Sequence, residues 1–259
     1  MIRRSTAASA LALLIACGPS SKPPLLPPVE SSMRVDASSA ELDAQWARAE
    51  KLFRMGRWAP ASTQLERLTL ELSAADPRMV RARFYLGECY LGMKSHLQAV
   101  REFRRVSDET PSDPLAPDAL VRAGDAFSDL WRRVELDPTY AQTALSTYQE
   151  VTNRYPGTQA SAVAQQRILG LNDKLAQKQY QTALYYIRYK ADDSAILYLK
   201  DLASAYPRAK VVPQALVTLI GIYKRLGYTE DIRETCLYLR RFHPDAPRVD
   251  YACRSVAAS

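Results

Sequence analysis

Small and large apolar residues recur along this chain at fixed intervals, with polar residues filling the positions between them. Gly87, Tyr90, Ala99, Phe103, Val106 and Pro111 are separated by 3, 9, 4, 3 and 5 residues. Ala183, Tyr186, Ala195, Leu199, Leu202 and Pro207 repeat those intervals, as do Ile220, Tyr223, Ile232, Cys236, Leu239 and Pro244. Ala49, Leu52, Ala61, Leu65, Leu68 and Ser73 fit the same frame with serine at the proline position. Gly124, Phe127, Ala144, Tyr148, Val151 and Pro156 fit it after eight extra residues between the halves, at 131–138. Steps of three and four keep one helical face apolar, and the long step leaves room for a turn. The pattern predicts two antiparallel helices per unit, five times over.

The residue types have physical reasons. A small side chain such as Gly87 or Ala183 lets the first helix of a unit approach its partner closely, and Ala99 or Ala195 does the same from the second. Proline lacks the amide donor a helix interior needs, so Pro111, Pro156, Pro207 and Pro244 mark where second helices stop. This pattern resembles the tetratricopeptide repeat, whose units bury their apolar faces only against neighbours. The expected fold is all-α, a right-handed solenoid of about five tetratricopeptide repeats over residues 41–250, with a C-terminal tail at 251–259.

The start of the chain reads as an address. Arg3 and Arg4 precede an apolar stretch over 7–16, signal-peptide length and short of the roughly 20 residues a membrane-spanning helix needs. Leu14, Ile15 and Ala16 lead into Cys17 and Gly18, which resembles the lipobox of bacterial lipoproteins. That resemblance implies a signal peptide at 1–16, acylation of Cys17, and sorting by Gly18 to the outer membrane, facing the periplasm. Residues 17–40 are rich in Pro and Ser and have little to bury, so a disordered or polyproline-like tether is expected.

Charge and chemistry narrow the function by what they lack. The 259 residues carry a net charge of +7, but basic residues such as Arg101, Arg104 and Arg105 are interleaved with Glu102 and Asp108, as on a solvated helix surface. Nucleic-acid binding would need a denser stripe. His96 and His243 have no ligand or nucleophile partners at a recognisable spacing, and no phosphate-binding glycine loop is present. No catalytic residues, metal or cofactor are therefore expected. The acid pairs Asp192, Asp193 and Glu230, Asp231 stand near starts of second helices, where negative charge suits the dipole. With Cys17 acylated, Cys89, Cys236 and Cys253 remain. A disulfide between Cys236 and Cys253 requires the tail to fold back on the last helix pair, which spacing leaves open.

The stretch over 137–244 narrows the family. Asp137, Pro138, Ala141, Ala144, Tyr148, Tyr155 and Pro156 are followed by a long helical run through Arg167, Leu171 and Ala176. Then come Tyr185, Tyr186, Ile187, Arg188, Tyr189 and Lys190, with Tyr206 and Pro207 closing the unit. Together with the lipobox, the insertion and the repeat count, this order resembles the BamD family of outer-membrane protein assembly factors, lipoprotein subunits of the β-barrel assembly machinery. The first two repeats match only through the general repeat pattern. The resemblance implies a non-enzymatic scaffold that binds a BamA-like barrel assembly protein through its C-terminal repeats. It also implies contact with other assembly-machinery lipoproteins and with unfolded outer-membrane proteins. Arg188, Tyr189, Lys190 and Asp192 are the expected partner-binding corner. In tetratricopeptide stacks the first helices line the groove, which places Glu50, Glu88 and Asp125 there, flanked by Trp46 and Phe84. Along the rows that continue through Leu184, Gly221, Arg188 and Arg225, acid gives way to base. Two other classes are consistent with anchor and repeats: a cell-envelope scaffold coordinating peptidoglycan or division proteins, and a lipoprotein glycosidase or amidase accessory, which requires a catalytic site beyond the motifs above.

Overall fold

A computed structural model describes residues 39–254; the leader, Cys17 and most of the tether lie outside the described residues. Ten helices form five antiparallel pairs: α1 (Ser39–Arg54) with α2 (Trp58–Glu71), α3 (Pro77–Gly92) with α4 (His96–Glu109), and α5 (Ala116–Leu130) with α6 (Thr139–Arg154). The fourth and fifth are α7 (Gln159–Arg188) with α8 (Asp192–Ala205), and α9 (Val212–Leu226) with α10 (Thr229–Phe242). A short α11 (Val249–Ala252) packs on α9 and α10. Each long helix packs on the ones before and after it in sequence, the connectivity of an all-α repeat solenoid.

The repeat frame is the core. Leu65, Phe103, Tyr148, Leu199 and Cys236, at one shared position, are all buried. Gly87 and Gly124 have an aromatic ring against them: a Cβ at Gly87 would stand 2.7 Å from Phe103 and one at Gly124 would stand 2.5 Å from Tyr148. Those glycines are required by close approach, as the frame predicts. Apolar burial is contiguous, with Phe127 packed against both the N-terminal and the middle parts of the core and Tyr206 against both the middle and the C-terminal parts.

Helix ends follow the punctuation. Thr110, Tyr155, Tyr206 and His243 leave the helical region just before their prolines, and each donates its backbone N–H to the frame residue four back, Val106, Val151, Leu202 or Leu239. Leu72 does the same to Leu68 where serine replaces proline, so proline reinforces this stop without being required for it. The turns inside pairs share a second device. Gly56, Lys94, Lys190 and Gly227 adopt positive φ, and the next residue's N–H closes onto Leu52, Tyr90, Tyr186 or Tyr223. This is the left-handed helix ending that glycine favours.

The third pair lacks that turn because of its insertion, which is fastened another way. Trp131 is buried and donates its indole N–H to the Leu136 carbonyl at 3.3 Å. Lys178, from α7, points its ammonium at the carbonyls of Val134, Glu135 and Leu136 at 3.1, 3.3 and 2.9 Å. Three donors meet three acceptors. Lys178→Met, which keeps the stem and removes the ammonium, is expected to cost about 1–2 kcal/mol. It should also open 131–138 to limited proteolysis, measured as faster cleavage than in the wild type.

The expected boundary at 250 falls inside α11, and packing continues through Cys253, which is buried and disulfide-bonded to Cys236. The described part of the tail, residues 251–254, therefore folds back over the end of the solenoid. Lys224 and Arg240 donate to the carbonyls of Ala252 and Cys253 at 2.6 and 3.0 Å. Cys89 is the free thiol among the described residues and is buried, and that burial pushes its pKa up to about 12.

Candidate binding surfaces

The fourth pair's corner is built where the 30-residue α7 ends. Lys190 takes the left-handed conformation that lets the chain reverse, which turns Arg188, Tyr189 and Lys190 outward as exposed side chains. Tyr189 is 66% exposed and lies against Tyr185, ring centroids 4.6 Å apart, itself 55% exposed. Tyr186 sits edge-on to Tyr185 and stacks on Tyr198 of α8, so the exposed rings rest on an aromatic base. Asp192 differs from the other three: it is half-buried and accepts from Arg225 of the fifth pair at 2.6 Å. The structure thus brings Arg188, Tyr189 and Lys190 together as a cationic, aromatic projection, with Asp192 holding the next repeat behind it. Such a mixed surface suits recognition by a protein partner.

The first-helix row is more crowded than its sequence suggests. Glu50 accepts from Arg54 one turn on at 2.8 Å. Glu88 of α3 takes both Nε and Nη2 of Arg122 from α5, at 2.5 and 2.7 Å. Asp125 accepts from the Tyr148 hydroxyl at 2.8 Å, from Arg167 of α7 at 3.0 Å and from Arg122 at 3.2 Å. Burial first, and then the Asp125 charge, push the Tyr148 hydroxyl well above the usual tyrosine range, so it remains a donor. The Glu88 bond is the largest cause of a raised Arg122 pKa. Carboxylates here are already matched with arginines, and a cationic peptide would have to share or displace them. Trp46 is half-buried and stacks on Tyr85, while Phe84 meets Phe103 edge-on. Both rings therefore serve packing on one side and offer only their remaining edge to a ligand.

Beside Asp125, a polar cleft of about 440 Å³ opens between α5, α6 and α7, lined by Arg122, Arg167, Lys174 and Asp129 among others. Sequence reasoning missed Arg122 and Arg167 as members of this site. Arg122 had a local signal, three residues before Asp125 on one helix face, but its bond to Glu88 depends on how repeats stack. Among the described residues no three His, Cys, Asp or Glu side chains are grouped as a metal site requires. No described helix is long and apolar enough to cross a membrane.

Known proteins resemble this chain over most of its length. The outer membrane protein assembly factor BamD of Vibrio cholerae is 26% identical over 246 residues, covering 90% of this chain and 96% of that protein. The BamD of Caulobacter vibrioides is 24% identical over 144 residues, 56% of this chain and 47% of that one. Among solved structures, a tetratricopeptide-repeat protein of Thermus thermophilus aligns at 18% identity and a TM-score of 0.37, covering 83% of this chain and 97% of its own. The TPR2AB domain of yeast Sti1, in complex with pHSP90, aligns at 12% identity and a TM-score of 0.42, covering 83% and 84%. The family model described as YfiO, outer membrane lipoprotein, matches residues 40–237, nearly all of the five helix pairs. This chain belongs to the YfiO family of outer membrane lipoproteins.

Proposed function

We propose that the protein is a lipid-anchored periplasmic scaffold of the outer-membrane β-barrel assembly machinery. In this role it holds a BamA-like barrel subunit through its C-terminal repeats and helps present unfolded outer-membrane proteins for insertion. The observation that carries the proposal is family membership over the helical repeats, with relatives named as assembly factors. The projecting corner of the fourth pair supports it by offering a charged and aromatic anchor without internal partners for Arg188 or Lys190 among the described residues. The first-helix row at Glu50, Glu88 and Asp125, with Trp46 and Phe84, is proposed as the surface that meets unfolded substrates. Other assembly-machinery lipoproteins are proposed as neighbours, and catalysis has no part in the role.

Two experiments test the parts. Arg188→Glu with Lys190→Glu reverses two exposed charges while leaving the apolar frame intact. It is expected to reduce co-purification of the barrel subunit about tenfold or more, with an unchanged helical circular-dichroism signal. Unchanged co-purification at moderate salt contradicts the assignment. For the anchor, Cys17→Ser is expected to yield a folded protein that takes up no palmitate analogue and leaves the membrane fraction. Labelling that persists without Cys17 rules that cysteine out.

A further inference from the structure

A second cleft, of about 480 Å³, lies between α7, α9 and the loop joining α10 to α11. Its size lies within the range of ligand-binding clefts. The polar lining consists of Tyr180, Thr218, Gln214, Lys210 and Arg248, and no carboxylate belongs to it. Tyr180 is buried, with its hydroxyl 3.0 Å from Thr218 Oγ1. Thr218 in turn donates to the Gln214 backbone carbonyl at 2.9 Å, so the proton between the two hydroxyls comes from Tyr180. That chain uses up both hydroxyl protons. The remaining donors are the Gln214 side-chain amide and two cations.

The cations are weakly engaged. Arg248 has no side-chain partner among the described residues, and Lys210 reaches Asp173 only at 3.5 Å with its side chain 92% exposed. Arg248 also holds a positive φ of 69° at the start of α11. Glycine serves that conformation with less strain, and does so at Gly56 and Gly227. An exposed arginine and an exposed lysine at the lining of a cleft that holds no carboxylate suit an acceptor ligand. The walls are apolar, with Pro213, Val217 and Pro247. Apolar walls beside two cations complement a segment that carries both apolar and acidic side chains.

We infer that this cleft binds an extended protein segment carrying acidic side chains beside apolar ones, with Arg248 and Lys210 taking a carboxylate. The inference concerns a surface separate from the Arg188 corner and does not depend on the assembly role. The test is fluorescence anisotropy of the full chain with a labelled peptide, Val-Glu-Leu-Glu-Val-Glu, and with its glutamine counterpart. The glutamate peptide should bind at least about tenfold tighter, with an affinity that falls as salt rises. Arg248→Gly should raise the thermal midpoint by relieving the backbone while weakening binding about tenfold. Gln214→Trp, at an exposed position lining the cleft, should block it with the circular-dichroism spectrum unchanged. Equal affinity for the two peptides overturns the proposal, and so does a stabilised Arg248→Gly variant that binds like the wild type. Vesicles containing phosphatidylglycerol provide the remaining arm: binding to them that is lost in the same variants, without glutamate-peptide binding, assigns the cleft to lipid and overturns it as well.

Discussion

Tyr148→Ala is expected to destabilise the protein by about 3–5 kcal/mol, the range for removing a large buried ring. Tyr148 is 1% exposed, its ring closes on Gly124, and its hydroxyl holds Asp125. The loss matters because whole domains are stable by only about 5–15 kcal/mol. In a solenoid it falls at a joint: α6 packs on both α5 and α7, so loosening it uncouples the third unit from the extended α7. Tyr148→Phe separates the two contributions, since it keeps the ring and removes only the bond to Asp125, for an expected cost of about 1–2 kcal/mol. Gly124→Ala approaches the same contact from the other side. Its helix-propensity gain of about 1 kcal/mol is opposed by overpacking against the ring, typically about 1–3 kcal/mol. Urea denaturation followed by circular dichroism measures all three; Tyr148→Ala within about 1 kcal/mol of the wild type contradicts the central place given to this ring.

Removing the disulfide by Cys236→Ser with Cys253→Ser is expected to cost about 3 kcal/mol, from the entropy that a crosslink closing a loop of this length removes from the unfolded chain. The sequence separation is 17 residues. The effect should be local. Among the described residues the last pair has a neighbouring pair on one side only, and α11 covers its other end with Val249, Ala252 and Cys253 all buried. Without the crosslink, α11 is held by Lys224 and Arg240 on the Ala252 and Cys253 carbonyls, bonds worth about 1–3 kcal/mol each at most. Hydrogen exchange should therefore accelerate in α9, α10 and α11 while the first three pairs keep their protection. Uniform acceleration across all five pairs contradicts this account, as does none.

The repeat frame was legible because it is built from local spacings: an apolar face at steps of three and four, a small residue where helices cross, and a proline after each second helix. Features that depend on stacking were not. The Glu88 bond to Arg122 spans 34 residues, and the Lys178 clasp spans more than 40, so neither has a local signature. Lys94 and Lys190 hold left-handed turns that glycine announces at Gly56 and Gly227; lysine there carries no such signal, and only the shared register reveals the equivalence. The disulfide stayed open because three cysteines and a tail permit several outcomes until the tail is seen to fold back. Of the corner proposed to bind a partner, the exposure of Arg188, Tyr189 and Lys190 followed from their place at a helix end. The ion pair that draws Asp192 toward Arg225 belongs to the packing between repeats.

The fourth pair's corner is proposed to meet a barrel-assembly subunit. A photo-crosslinking amino acid in place of Tyr189, the ring most exposed at that corner, tests it in the intact cell envelope. Irradiation followed by mass spectrometry should recover a BamA-like barrel protein as the main adduct, and Arg188→Glu with Lys190→Glu should abolish that adduct. Adducts confined to peptidoglycan-binding or division proteins, with no barrel protein among them, contradict the account.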